Sequence, residues 1–104
     1  MAYGDKSVVI DKQRILPAEY TLSQNYPNPI NPATTFKYSI PKRTNVDVNI
    51  FDLKGNLIEK LVSETLDAGE YHKIWNASEF SSGLYFYQLK TPNVTLQKKC
   101  LLVK

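Results

Sequence analysis

The sequence predicts an all-β fold, an immunoglobulin-like antiparallel β-sandwich of about seven strands. Three observations predict it. Apolar and polar residues alternate with a period of two in several short segments, most clearly at residues 46–51. Turn-forming residues separate these segments at intervals of roughly 8–12 residues, and no segment has a helical period. Seven Tyr, four Phe and one Trp supply the aromatic side chains that strands favour.

A stiff corner at residues 25–32 precedes the first long strand. Pro27, Pro29 and Pro32 each hold φ near ~−65° and lack an amide hydrogen, so a helix is excluded here. The three asparagines of this corner can form side-chain hydrogen bonds to the nearby backbone, as asparagines do in turns. The strand itself is predicted at residues 34–40, where apolar residues alternate with polar ones.

Five further strands complete the predicted sandwich. They are expected at residues 46–51, 57–62, 71–75, 84–91 and 96–103. Asp52 and Gly55 favour a tight hairpin turn after the first of these, because glycine accepts a positive φ. Residues 63–69 are expected to form a loop. Tyr85 follows a polar connection at residues 76–83, the position at which immunoglobulin-like folds place a corner tyrosine.

The chain is expected to hold one domain at residues 19–104, preceded by a partly mobile tether at residues 1–18. Residues 8–10 could add an edge strand. A length of 104 residues suits a single core without disulfides. No apolar run approaches the ~18 residues of a membrane span, and the N-terminus has no signal-peptide core. If the protein is exported, we therefore expect the chain to be part of a longer precursor.

The sequence contains no recognisable catalytic motif. His72 is the only histidine and Cys100 the only cysteine, and neither lies in a pattern for nucleophilic catalysis or zinc binding. Cys100 is expected to be a buried, inert thiol and His72 a surface residue. The net charge of +3 is too small to indicate nucleic-acid binding. We expect a monomer without enzymatic activity, cofactor, metal or membrane insertion, although calcium binding at a loop stays open.

Several motifs occur together in one order. Residues 24–34 read QNYPNPINPAT, and AGEY, WNA, SGLYFYQL and KCLLVK follow at residues 68–71, 75–77, 82–89 and 99–104. In this order and spacing they resemble the type A C-terminal sorting domain of the bacterial type IX (Por) secretion system. Ile30 stands where that family usually has Phe, and Trp75-Asn76-Ala77 where it often has Trp-Asp-Gly. The fold is similar to the Ig-like domain of flagellar hook-capping proteins.

The resemblance implies a non-enzymatic sorting signal at the C-terminus of a larger secreted or cell-surface protein. Its partners would be the type IX secretion machinery, a sortase-like peptidase cleaving within residues 6–19, and an N-terminal cargo domain. A rigid corner at residues 25–32 and an exposed terminal strand would suit presentation to a receptor. The candidates for recognition by the machinery are Gly69, Tyr71, Gly83, Tyr85, Lys98, Lys99 and Lys104.

The residues leave a second function open, an Ig-like accessory module that binds carbohydrate or protein. Its candidate platform would be formed by Tyr26, Tyr71, Trp75, Tyr85 and Tyr87. Alternating aromatics in a sandwich usually pack the core instead, and Trp75, the only tryptophan, is expected to be largely buried between the sheets. An exposed aromatic pair on one sheet face would favour the binding module. A structural spacer is a third interpretation.

Overall fold

A computed structural model describes residues 16–104, and within them every regular element is a strand. The predicted tether and the possible strand at residues 8–10 therefore lie mostly or wholly outside the described residues. The strands are β1 (Thr21–Leu22), β2 (Ala33–Ile40), β3 (Thr44–Phe51), β4 (Leu57–Leu66), β5 (Gly69–Asn76), β6 (Gly83–Lys90) and β7 (Thr95–Leu102). The short apolar segment before the proline-rich corner supplies β1, which pairs with β2 over two residues.

The strands form two antiparallel sheets, which confirms the predicted β-sandwich. One sheet has three strands in the order β1-β2-β5, and the other has four in the order β4-β3-β6-β7. Consecutive strands change sheets between β2 and β3 and again on both sides of β5. Each sheet therefore buries the apolar face of its alternating strands against the other sheet.

The predicted loop at residues 63–69 is wrong over its first half, because residues 63–66 continue β4. Thr65 and Leu66 pair with the first two residues of β3, where Asn45 lies opposite Thr65 and Thr44 opposite Leu66. Residues 63–65 are polar and exposed, and Leu66 is half-buried. Backbone pairing with β3 extends it, whereas the local sequence lacks an apolar alternation. The other predicted boundaries shift by one or two residues.

Aromatic side chains fill the space between the sheets. Trp75, Phe36 and Tyr87 are at most 1% exposed, which confirms the predicted burial of the tryptophan. The Phe36 ring centroid lies 4.4 Å from that of Tyr87 and 6.3 Å from that of Trp75. Tyr85 is also buried. Three of the five aromatics that could have formed a sugar platform are therefore core residues.

The β3–β4 hairpin has the tight turn that Asp52 and Gly55 predict. Gly55 has a φ of 89°, a region in which a side chain would be strained. Asp52 Oδ1 accepts hydrogen bonds from the backbone amides of Asn56 and Lys54, each at 2.9 Å. Hydrogen bonds from Asn56, through its backbone and its side chain, and from Lys54 hold the pKa of Asp52 below its usual range. The carboxylate thus remains ionised and organises the turn.

Candidate recognition surface

The proline-rich corner is fastened to the core through Asn25. This side chain is 3% exposed, and its Nδ2 donates to the Pro27 carbonyl at 3.1 Å and to Thr34 Oγ1 at 3.0 Å. The Asn25 amide donates to Tyr87 Oη at 2.9 Å, and Tyr87 Oη donates to the Ser23 carbonyl at 2.7 Å. Burial raises the pKa of Tyr87 to about 12. One hydroxyl inside the sandwich therefore holds the beginning of the corner in place.

The same corner covers part of the free edge of β7. Ile30 donates its amide to the Leu101 carbonyl at 2.7 Å and accepts from the Val103 amide at 3.1 Å. The Ile30 side chain is fully buried. The sequence signal for this anchor is an apolar residue between prolines, and we did not predict the anchor from it. The corner is thus joined to the last strand by a short parallel bridge.

Two side-chain contacts extend this cover along β7. Asn28 Oδ1 accepts from the Leu101 amide at 3.1 Å, and Gln24 Nε2 donates to the Lys99 carbonyl at 2.8 Å. These contacts reach from Lys99 to the C-terminal end of the strand. The prediction of an exposed terminal strand is therefore wrong for the edge of its second half. No local pattern in the sequence indicates which strand edge the corner would meet.

Tyr85 forms the predicted tyrosine corner at the start of β6. Its Oη donates to the Ser81 carbonyl, four residues upstream, at 2.6 Å. Its ring lies 5.8 Å from Trp75 and 6.5 Å from Phe80, both in edge-on geometry. Gly83 begins the strand two residues earlier. This candidate pair therefore has a structural role that couples the β5–β6 connection to the core.

Tyr71 repeats the arrangement at the start of β5. Its Oη donates to the Asp67 carbonyl, again four residues upstream, at 2.6 Å. The ring lies across Gly69, where an added Cβ would be 3.6 Å from Tyr71 Cε2. It also stacks on Tyr38 at 5.7 Å. We did not predict this second corner, although the repeated Gly-x-Tyr at strand starts was its signal.

The three candidate lysines are exposed, but they do not point in one direction. Lys98 lies opposite Tyr87 and Lys99 opposite Phe86, so the two lysines face opposite sides of the sheet. Lys104 extends back to the β5–β6 connection. Its amide donates to Ser82 Oγ at 3.0 Å and its Nζ to the Ser78 carbonyl at 2.5 Å.

Five of the seven candidates lie at the two ends of the sandwich, and Lys98 and Lys99 lie midway along β7. Gly69 and Asn76 begin and end β5, and the connection after Asn76 leads directly to Gly83. The corner of Gly69 and Tyr71 is thus separated from Gly83 by the length of one strand, roughly 25 Å. Tyr85 and Lys104 belong to the Gly83 end. The structure does not gather these residues into a single site.

The model of the secretion system C-terminal sorting domain matches residues 24–104. This chain belongs to that family. The match includes the whole corner, both Gly-x-Tyr corners and β7. Membership confirms the resemblance noted in the sequence and makes the chain a C-terminal sorting signal domain of type IX secretion. It indicates a secreted or cell-surface destination and favours a non-enzymatic role.

A curated relative of the sorting domain is the endo-acting ulvan lyase of Formosa agariphila. The two are 31% identical over 103 residues, which is 99% of this chain and 18% of the lyase. The chain thus spans less than a fifth of the relative it matches. The lyase activity is named for that larger protein.

The single cysteine and the single histidine of the sorting domain lie in different sheets. Cys100 is 1% exposed, as predicted, and burial raises its pKa to about 12. His72 is exposed on β5, in the other sheet, where it pairs with Lys37. Within residues 16–104 no three His, Cys, Asp or Glu side chains are grouped to hold a metal. No helix in this part of the chain could span a membrane.

Proposed function

We propose that the sorting domain directs a larger bacterial protein across the outer membrane by the type IX route. The cargo would lie N-terminal to residues 19–104, and a sortase-like peptidase would remove the domain by cleaving within residues 6–19. The family match over residues 24–104 carries this proposal. Support also comes from the position of β1, which begins at Thr21, so cleavage in this interval would leave every described strand intact.

Recognition by the machinery is proposed to divide the seven candidates into two groups. Lys98, Lys99 and Lys104 are exposed and can be contacted directly. The two Gly-x-Tyr pairs act through structure, because each tyrosine hydroxyl holds the backbone that precedes its own strand. Such corners present the ends of the sandwich in one fixed shape. Binding to a preformed shape costs less conformational entropy than binding to a mobile one.

The proposal is tested by fusing residues 1–104 to the C-terminus of a reporter that has its own N-terminal export signal. In a host with a type IX system the reporter should reach the surface or the medium. In an isogenic mutant lacking that system it should remain in the periplasm. Periplasmic retention of the intact fusion in the competent host would refute the proposal and favour the accessory binding module.

The contribution of the lysines can be separated from the fold. Deleting residues 99–104 removes the partners of Ile30, Asn28 and Gln24 and should block export through misfolding. The informative variant is Lys99→Gln with Lys104→Gln, and Lys42→Gln is the matched exposed control. Exposed changes of this kind alter stability by no more than about 0.5 kcal/mol. If the double variant is folded but not exported, while the Lys42→Gln control is exported, the machinery recognises the lysines directly. If the double variant is exported normally, the C-terminal residues matter only for folding.

A further inference from the structure

The outer face of the four-stranded sheet has an apolar patch at one end. Ile50 and Tyr87 are paired and fully buried, so their neighbours Phe51 and Phe86, which are also cross-strand partners, face away from the core. Leu57 lies opposite Phe51 and is 51% exposed. We define the outer apolar patch as these outward-facing residues with the adjoining leucines: Phe51, Leu53, Leu57, Leu84 and Phe86.

Two grooves adjoin the patch, and Leu53 at the tip of the β3–β4 hairpin lines both. The first, of about 380 Å³, has Phe51, Leu53 and Phe86 along its lining. The second, of about 340 Å³, lies between the hairpin and the start of β6, with Leu53 and Leu84 along its lining. Leu53 is 67% exposed. Because Leu53 lines both grooves, a partner that filled them would cover it.

Positive charge flanks the patch. Lys54 lines both grooves, and Lys99 is the cross-strand partner of Phe86 on the same face. The ion pairs among residues 16–104 are Arg43–Asp67 and Lys60–Asp47, so neither of these two lysines is paired with a carboxylate there. The ionised Asp52 carboxylate also lines both grooves beside Lys54, and it accepts hydrogen bonds from the turn amides. The patch is thus an apolar surface whose rim has Lys99 and, beside the Asp52 carboxylate, Lys54.

We propose that the outer apolar patch is the docking surface for a protein component of the secretion machinery. That component would insert aliphatic or aromatic side chains into the two grooves and place Asp or Glu carboxylates against Lys54 and Lys99. Contiguous exposed apolar groups with a charged rim mark protein interfaces, and opposite charges on the partner set its orientation. The inference rests on the proposed function and names the surface through which it acts.

Two other occupants fit the patch less well. A sugar ring stacks on a freely exposed aromatic face, but Phe51 and Phe86 are half-buried and the most exposed members are leucines. A second copy of the chain would place Lys54 and Lys99 near the same lysines of its partner if it docked through the same patch. Both occupants remain outcomes of the test.

The experiment uses the reporter fusion with Leu53→Ser and Leu57→Ser together. The control is Ile74→Ser, because Ile74 is 66% exposed and lies on the opposite sheet. We expect surface reporter to fall at least about tenfold with the double change, as for a lost interface anchor, and to stay near the unmodified level with Ile74→Ser. Equal export of the double variant, or an equal loss with Ile74→Ser, would overturn the inference.

Two measurements keep folding and function apart. Urea midpoints of the purified variants of residues 1–104 should match that of the unmodified chain, and Leu53→Ser alone serves if the double variant is destabilised. Lys54→Glu should reduce export, whereas Lys42→Glu should not. A larger loss with Lys42→Glu would contradict a role for the positive charge beside the patch. If the unmodified fusion itself fails to leave the periplasm, the proposed function has failed. If the unmodified fusion is exported and the patch variants are exported equally well, this inference alone has failed.

The identity of the partner is tested by a photo-crosslinking benzoylphenylalanine at position 53, with position 74 as the control. A covalent adduct to a type IX component at position 53 and none at position 74 would support the inference. An adduct only to a second copy or to the cargo would overturn it. Binding of a polysaccharide would also overturn the inference. It would be seen as retardation of the purified domain in a gel that contains alginate, with the retardation abolished by Leu53→Ser.

Discussion

Tyr85 Oη donates a 2.6 Å hydrogen bond to the Ser81 carbonyl, and the hydroxyl of Tyr71 makes the same bond to Asp67. Both tyrosines stand two residues after a glycine that begins a strand. The domain therefore uses one local device twice, at opposite ends of β5. This structural role accounts for both Gly-x-Tyr segments, and neither needs to contact a partner.

Removing the two hydroxyls should have unequal effects. Tyr85→Phe should lower the free energy of unfolding by about 1 kcal/mol, the usual net value of one hydrogen bond. Tyr71→Phe should cost less, because the Asp67 carbonyl is exposed and water can replace the hydroxyl. Urea unfolding of the two variants checks this. A larger loss for Tyr71→Phe would contradict the assignment of Tyr85 as the buried corner.

Trp75 should dominate the stability of the sandwich. It is 1% exposed and touches Phe36, Phe80 and Tyr85. Trp75→Ala should cost about 3–5 kcal/mol, as other large-to-small changes in cores do. Ile74→Ala, at the exposed neighbouring position, should change stability by less than about 0.5 kcal/mol. A loss below about 1 kcal/mol for Trp75→Ala, measured by denaturant unfolding, would mean that the tryptophan is not a core residue.

Alkaline conditions should destabilise the domain. Burial raises the pKa of Tyr38 and Tyr87 from 10.0 to about 12, and that of Cys100 from 9.0 to about 12. These groups stay neutral in the folded chain at pH values where the unfolded chain ionises. Their stabilisation is therefore complete below about pH 9 and is lost as the pH rises toward 12. Urea midpoints measured from pH 8 to pH 11 should fall, and a constant midpoint would contradict the burial of these groups.

The thiol offers a direct check on the same burial. At pH 8 Ellman's reagent should react slowly with the native domain, because the Cys100 thiol is buried and protonated. In urea the single cysteine should react fully and fast. Rapid reaction of the native protein would show that β7 opens in solution.

The contact between the corner and β7 can be observed at one amide. Asn28→Ala removes the acceptor of the Leu101 amide and should speed its hydrogen exchange in NMR spectra. Asn31→Ala is the matched control, because Asn31 is an exposed asparagine of the same corner and lies on the other side of Ile30. Unchanged protection of Leu101 in the Asn28 variant would mean that the corner does not cover the β7 edge.

Local sequence features were sufficient to predict much of the fold. The alternation at residues 46–51 marks β3, and the Asp52 and Gly55 pair marks the hairpin after it. These signals work because a strand with one buried face and a turn with a positive φ each restrict the residue types at their own positions. The burial of Trp75 and the tyrosine corner of Tyr85 follow from the same kind of local information.

The sequence by itself thus determined the sandwich class, the family and the positions of most strands, since these depend on patterns within a few residues. Only the tertiary structure decided which edges meet. It brings Ile30 to Leu101, extends β4 to Leu66 by pairing it with Thr44, and places Phe51 opposite Phe86 in the outer apolar patch. Such contacts join segments far apart in the chain, and hydrogen bonds between backbones leave little trace in side-chain patterns. The surface that a partner would meet is therefore a property of the folded domain.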